Sequence, residues 1–336
     1  MTASSIHAPR NTPFCSNEVD SLLQEKTAEL LEFLQRHSWE DFDQYEVLAT
    51  RLDYFKKVTQ RIDAALAHQP DELRRLQAWF REESDPIFMT SGLMTRARSW
   101  PGGYPGDFET LEAVYLRTPF VERGLGNDLD RYFLASTLSV AVRWRLRKLV
   151  SILNRRAEEE RDDAVWLNVA AGSCRELLSV PGKKNRTVWC LDSDERSLEY
   201  AQQLLKHRYR GGERLEFVCQ NAFRLVRAES NRNQFGPLTT CYSAGLFDYI
   251  DTPKLARLLR GLYDSLVPGG LLIATFKDCQ RYDTFDYHWL VEWHFFLQRT
   301  LANCYEVFDE AGIPRSQIRL ERDATGVILF FLVTKA

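Results

Sequence analysis

The residues able to do chemistry gather at the ends of strand-like runs. Ala170-Ala171-Gly172-Ser173 closes the run Val165 to Ala170; small side chains let a ligand approach the backbone closely, and Gly172 can adopt positive φ. Asp192 closes the next run, about twenty residues beyond Gly172, where a carboxylate can accept hydrogen bonds from both hydroxyls of a ribose. Ser193 follows it, and Asp194 suits a helix N-cap. After the third run, Asn221-Ala222-Phe223 offers an amide and an aromatic ring to a flat heterocycle such as adenine, the alternative being a plain Asn turn. After the fourth, the loop Tyr242 to Tyr249, which includes Ser243, would face the reacting end of such a ligand. The full G-x-G-x-x-G fingerprint is absent, which favours an adenosyl ligand over a pyrophosphate-bearing dinucleotide.

A second cluster lies earlier. In SWPGGYPGDFETLEAVY, Tyr104 and Asp107 flank Pro105-Gly106, so a hydroxyl and a carboxylate come close together on a turn, and loops carry function more often than cores do. Tyr104, Asp107 and Tyr249 are the candidate catalytic residues. His288, Glu292 and His294 invite a metal reading, but a helix would put only the first two on one face and no H-E-x-x-H pattern occurs, so no metal is expected.

The elements that must hold these residues follow from periodicity. Residues 1–15 predict a mobile tail. From Ser16, a candidate N-cap, Val19, Leu22, Leu23, Leu30, Leu31 and Leu34 predict one helix; the apolar positions from Phe42 to Leu66 predict a second within 39–68, and a third covers 73–81 after Pro70. Segment 85–119 predicts turns, with a Gly/Pro-rich lid at 95–119. One long helix is predicted over 128–160, ending in the charged NRRAEEERDD. Beyond a border near 160, strands alternate with helices through Val188–Leu191, Leu215–Cys219, Leu238–Tyr242 and Leu271–Phe276, predicting an α/β fold with a doubly wound Rossmann-like parallel sheet. A long helix is predicted over 284–311, followed by an antiparallel hairpin of 318–321 and 327–333. The expected domains are thus a helical one, 16–160, and a ligand-binding one, 161–336.

Bulk composition narrows the partners. With 44 basic and 47 acidic residues and a net charge of −3, no broad basic surface points to nucleic acid. The local runs Arg143, Arg145, Arg147, Lys148 and Lys206, His207, Arg208, Arg210 predict solvated helix faces. Seven cysteines without a C-x-x-C pair suit a reducing compartment, and no apolar leader or membrane-length apolar run occurs, so a cytoplasmic location is expected. The N-terminal helices could serve as a homodimer interface.

Residues 164–336, with a small-residue turn after strand one, an acid after strand two, a polar pair after strand three and a Pro-Gly-Gly turn before strand five, resemble class I S-adenosylmethionine-dependent methyltransferases. Ala170 and Cys174 depart from that pattern, which often carries glycine there. Residues 98–310, through GYPGDFE, AVRWR, YSAGLFDYI and EWHFFLQR, more narrowly resemble the bacterial 3-hydroxypalmitic acid methyl ester synthases. That resemblance implies S-adenosylmethionine as cofactor, the pre-core segment closing over it, Tyr104 and Asp107 near its methionine end and Arg143 near its carboxylate. Aromatic faces stabilise a sulfonium as they do other cations, with Tyr104, Tyr249, Tyr282, Tyr287, Trp289 and Trp293 as candidates, most of them core residues. Three functions stay open: methyl transfer to a carboxylate or hydroxyl of a small or acyl-type metabolite; cyclisation of the cofactor itself to azetidine-2-carboxylate with release of methylthioadenosine, as in secondary metabolism; and non-catalytic binding, which fold alone does not exclude.

Overall fold

The computed structural model describes residues 16–36, 39, 44–207 and 212–336. The expected tail at 1–15, Phe42, and Arg208 and Arg210 lie outside them, as does the side chain of Ser16. In chain order, α1 (Ser16–Arg36), α2 (Tyr45–Ala65), α3 (Pro70–Phe88), α4 (Gly92–Ser99), α5 (Phe108–Leu116), α6 (Gly124–Ala135) and α7 (Thr137–Glu159) precede the strands. The remainder is β1 (Val165–Val169), β2 (Thr187–Asp192), α8 (Glu195–Leu205), β3 (Arg214–Cys219), α9 (Ala228–Phe235), β4 (Leu238–Ser243), α10 (Thr252–Ser265), β5 (Leu266–Lys277), α11 (Leu301–Glu310), β6 (Ile318–Arg322) and β7 (Ile328–Thr334). Among the described residues no helix is long and apolar enough to cross a membrane.

The chain forms two compact units. One takes the residues up to Thr95 with Val121–Tyr132 and Thr284–Glu292; the other takes Arg96–Phe120, Phe133–Asp283 and Trp293–Ala336. The expected border near 160 falls inside the second unit. In the first, Phe55 stacks on Phe80 at 4.9 Å, and Trp289 meets Phe80 edge-on at 5.9 Å while donating to Asp63 at 3.0 Å. Tyr287 and Trp289 are therefore buried core residues of that unit.

The second unit holds a seven-stranded sheet in the order β3-β2-β1-β4-β5-β7-β6. Strands β1 to β5 are parallel, and β7 runs antiparallel between β5 and β6, so the doubly wound α/β fold with its terminal hairpin is as the alternation predicts. β1 pairs with β2 on one side and β4 on the other, which makes the crevice beyond their carboxyl ends the topological switch point.

Three predicted elements differ. Segment 85–119 is largely helical, with α3 running through Pro86, and its turns are confined to short stretches, of which the one between α4 and α5 is the longest. The long helix over 128–160 is two helices, because Ser136 leaves the helical conformation and accepts from the Ser139 amide as the N-cap of α7. The helix over 284–311 is a π turn, Phe285–Leu290, an irregular stretch, and then α11. There Arg299 donates to the carbonyls of Phe247 at 2.9 Å and Ile250 at 2.5 Å, Leu297 donates to the carbonyl of Asp248, and Thr300 and Asn303 form a capping box that starts a new helix. These contacts with the strand-four loop replace the bonds a continuous helix would make.

Candidate functional site

The turn after β1 is held in a left-handed zigzag: φ is +55° at Ala170, +54° at Gly172 and +51° at Cys174. The two non-glycine residues are strained. A Cβ on Gly172 would meet nothing within 4 Å, so the turn is open on that side. Its amides are directed at β2: Ala171 N–H donates to the Leu191 carbonyl at 3.0 Å and Gly172 N–H donates to Asp192 Oδ2 at 2.8 Å.

Asp192 also accepts from the Asp194 amide at Oδ1, 3.0 Å away, and its carbonyl accepts from Gln220 N–H at 2.8 Å. Burial pushes its pKa up, aided by the charge of Asp194 and opposed by the amides of Asp194, Gly172 and Ser193. The carboxylate retains acceptor capacity beyond these amides, which suits a diol. Asp194 caps α8 through Oδ1, while its Oδ2 accepts from the Tyr104 hydroxyl at 3.1 Å.

At the end of β3, Asn221 Oδ1 accepts from Phe223 N–H at 2.8 Å, so the Asn turn is formed while the Nδ2 hydrogens point elsewhere. Ala222 begins the 3₁₀ helix that follows. Phe223 is 44% exposed, an unusual state for a phenylalanine. It lines a cavity of about 460 Å³ with Gln220, Arg224 and Gln234 among others. At the end of β4, the buried Ser243 hydroxyl has no partner among the described residues.

The other candidates have more structural partners than the sequence suggests. Asp107 is the N-cap of α5, accepting from Thr110 N–H at 2.9 Å and from Arg96 at 2.8 Å. It is a buried cap and ion-pair member, and Tyr104 is directed at Asp194 instead. Arg143 donates through Nη1 to the carbonyls of Val114 at 3.3 Å and Leu134 at 2.8 Å, which ties α5 to α6 and α7. Arg145, two residues on, is the arginine beside the strand-four loop: its Nη1 lies 3.2 Å from where a Cβ on Gly245 would stand. Its buried guanidinium donates to the Tyr115 hydroxyl at 3.5 Å.

Around that loop stands a group of aromatic rings. Tyr249 lies 5.3 Å from Phe296 and 6.3 Å from Phe295, and Trp100 meets Phe295 edge-on at 4.9 Å. Trp293 donates to the Ala97 carbonyl at 2.7 Å. A Cβ on Gly106 would lie 3.7 Å from the Tyr249 hydroxyl and 3.9 Å from Trp293, so the glycine at φ +67° leaves room beside both. Burial, and then Asp248, push the Tyr249 pKa up against the pull of Arg145; this hydroxyl keeps its proton. Lys277 pairs with Asp248 at 3.1 Å and sits 4.3 Å over the same Phe296 ring. Burial lowers the Lys277 pKa, partly offset by Asp248.

A further network centres on Glu112. Glu112 on α5 accepts from Ser173 Oγ at 2.7 Å, from Arg175 Nε at 2.8 Å and from the Tyr200 hydroxyl at 2.9 Å. No local signal marks it, because its partners lie on other elements.

No family model matches the chain, and no curated protein matches it. Among solved structures, it is similar to a possible exported protein from Bordetella parapertussis at 18% identity, over 97% of this chain and 99% of that one, with a TM-score of 0.56. It also aligns with magnesium protoporphyrin IX methyltransferase from Synechocystis with bound SAH, at 12% identity over 59% of this chain and 87% of that one, TM-score 0.44. A third is 1,6-didemethyltoxoflavin-N1-methyltransferase from Burkholderia thailandensis, at 16% identity over 57% and 78% of the two chains, TM-score 0.39. The nearly end-to-end likeness to the Bordetella protein shows a shared fold.

Proposed function

We propose that this chain binds S-adenosylmethionine beyond the carboxyl ends of β1, β2 and β3 and transfers its methyl group to a carboxylate or hydroxyl of a small or acyl-type metabolite. The observation that carries the reading is Asp192, a buried carboxylate fixed by the Gly172 and Asp194 amides beside a turn with an open side at Gly172. That donor set fits an adenosine: Asp192 accepts from the ribose hydroxyls, Asn221 Nδ2 donates to the base edge, and the exposed Phe223 ring covers a base face. Ala171, Ser173, Ser193 and Ala222 line the approach. Arg145, rather than Arg143, takes the carboxylate of the methionine end.

When bound, S-adenosylmethionine supplies an electrophilic methyl group on a cationic sulfur. The protein's work is positioning and exclusion of water. The faces of Tyr249 and Trp293 favour a cation, and the protonated Tyr249 hydroxyl orients an acceptor oxygen without removing a proton from it. A carboxylate acceptor needs no base and so suits a site whose tyrosine keeps its proton, whereas a hydroxyl acceptor would have to give up its proton as the new C–O bond forms. Asp107 holds α5 in place and takes no part in the chemistry; Tyr104 closes the ribose end through Asp194.

The test is product identification. With S-adenosylmethionine alone the protein leaves it intact, and on addition of 3-hydroxypalmitate S-adenosylhomocysteine and a methyl ester form together. Methylthioadenosine released without any acceptor contradicts methyl transfer and supports cyclisation.

A further inference from the structure

The C-terminal end of α5 meets α7 in a cluster of arginines. Arg143 and Arg147 stand one turn apart on the same face of α7. Arg143 donates to the Val114 carbonyl on α5, one helical turn before Arg117, the left-handed C-cap of that helix. Burial, and then the charges of Arg117 and Arg147, push the Arg143 pKa down, and no carboxylate among the described residues offsets them. The carbonyls of Val114 and Leu134 account for Arg143 as a structural tie; they do not account for the other two. Lys148 and Arg155, also on α7, both pair with Glu321, whereas among the described residues Arg117 and Arg147 form no ion pair. The Arg147 guanidinium instead lies 4.6 Å from the Trp144 ring centre.

The same surface carries apolar side chains. Leu116 is 56% exposed and Trp144 is 37% exposed, and each is the chain neighbour of an arginine of the cluster. The surface therefore has two kinds of affinity at once: apolar groups that gain by leaving water and cations that gain from a layer of anions. A small anion or a nucleic acid would use the arginines alone, and a neutral apolar partner would strand them away from water. An anionic bilayer uses both, because a tryptophan settles at the headgroup level and an arginine reaches the phosphates while its stem lies along apolar surroundings. With a net charge of −3 on the whole chain, the attraction belongs to this patch and not to the protein at large. We propose that Leu116, Arg117, Arg143, Trp144 and Arg147 form a patch that docks this protein peripherally on anionic phospholipid surfaces. The inference does not rest on the cofactor reading above.

Sedimentation of the full chain with phosphatidylcholine vesicles, made with and without phosphatidylglycerol, tests this. At low salt the protein is expected to sediment with the anionic vesicles and to stay in solution with the neutral ones. Arg117→Asn, which suits a left-handed backbone, and Arg147→Gln each weaken vesicle binding about fivefold, the value of one arginine near an anionic surface, and together about 25-fold. Leu116→Ser weakens it about fourfold for each methylene that enters the bilayer. Arg257→Gln removes the same charge from an exposed position on α10 and stays within about twofold of wild type, the scatter expected when no contact is lost. At about 1 M salt, where screening acts within roughly 3 Å, the arginine variants and the wild type converge. All the substituted side chains are exposed, so unaltered thermal unfolding verifies each variant. No binding to the anionic vesicles, equal binding to both kinds, or arginine variants that match Arg257→Gln overturns the proposal. Calorimetric binding of inorganic phosphate that needs these arginines, without vesicle binding, would mark a small-anion site and overturns it as well.

Discussion

Asp192→Asn removes one charge from the proposed ribose site and changes little volume. The carboxylate accepts from Gly172 N–H at 2.8 Å and Asp194 N–H at 3.0 Å, and in the proposed complex it accepts two ribose hydroxyls as well. An asparagine keeps one acceptor oxygen; its amide nitrogen must face one of those two backbone donors, and the charge is gone. Losing two hydrogen bonds to a charged acceptor, at roughly 1.5 kcal/mol each, gives about 3 kcal/mol, or roughly 100-fold in affinity. Calorimetry with S-adenosylhomocysteine reads this directly. The pH dependence supplies an independent check. Because burial raises the Asp192 pKa, its contribution to folding is fully present below the unfolded aspartate value of about 3.9 and is lost as pH rises through the raised folded value. Ligand binding runs the opposite way, since the ribose needs the ionised form, so wild-type affinity falls on acidification at a higher pH than an ordinary aspartate would give. In Asp192→Asn that acid limb disappears. An affinity within about threefold of wild type, well short of what one such bond is worth, refutes the ribose assignment.

Other expectations follow from single contacts. Arg145→Met weakens S-adenosylmethionine by about tenfold or more, one charged hydrogen bond, and leaves decarboxylated S-adenosylmethionine unaffected in the same titration; equal losses would show that Arg145 does not meet the carboxylate. Ala170→Gly relieves the left-handed strain at φ +55° and, after the entropy cost of glycine, stabilises by up to about 1 kcal/mol in denaturant unfolding; a clear loss of stability would mean the Ala170 side chain makes packing contacts that outweigh the strain. Glu213→Gln strands the buried Arg186, whose Nε donates to Glu213 at 2.6 Å and whose guanidinium lies 4.1 Å from the Trp166 ring centre, and it costs about 3 to 5 kcal/mol in thermal or denaturant unfolding. A cost under about 1 kcal/mol would place that pair among weak surface-like ion pairs.

The strands of the sheet were readable because each is a short apolar run closed by a turn or helix signal, and Asp192 was readable because its place depends only on β2 ending there. The C-terminal hairpin was readable because no helical run separates its strands. Other features depend on contacts distant in sequence. Arg143 and Arg145 stand on one helix two residues apart, and which of them meets the strand-four loop depends on how α7 docks, with the carbonyls of Val114 and Leu134 claiming Arg143. Asp107 in G-D-F-E-T carries an N-cap signature as good as any functional one, and the cap is what forms. The helical periodicity of 284–311 is real, yet Arg299 and the loop of Phe247 to Ile250 interrupt it from some fifty residues away. The interleaving of Val121–Tyr132 and Thr284–Glu292 with the first unit likewise leaves no compositional trace.

A crystal structure with S-adenosylhomocysteine bound tests the central claim most directly. The account predicts ribose hydroxyls within hydrogen-bond distance of Asp192, the base against Phe223 with its edge on Asn221, and the carboxylate on Arg145. An adenosine bound away from the Gly172 turn, or a ribose that does not touch Asp192, would contradict it.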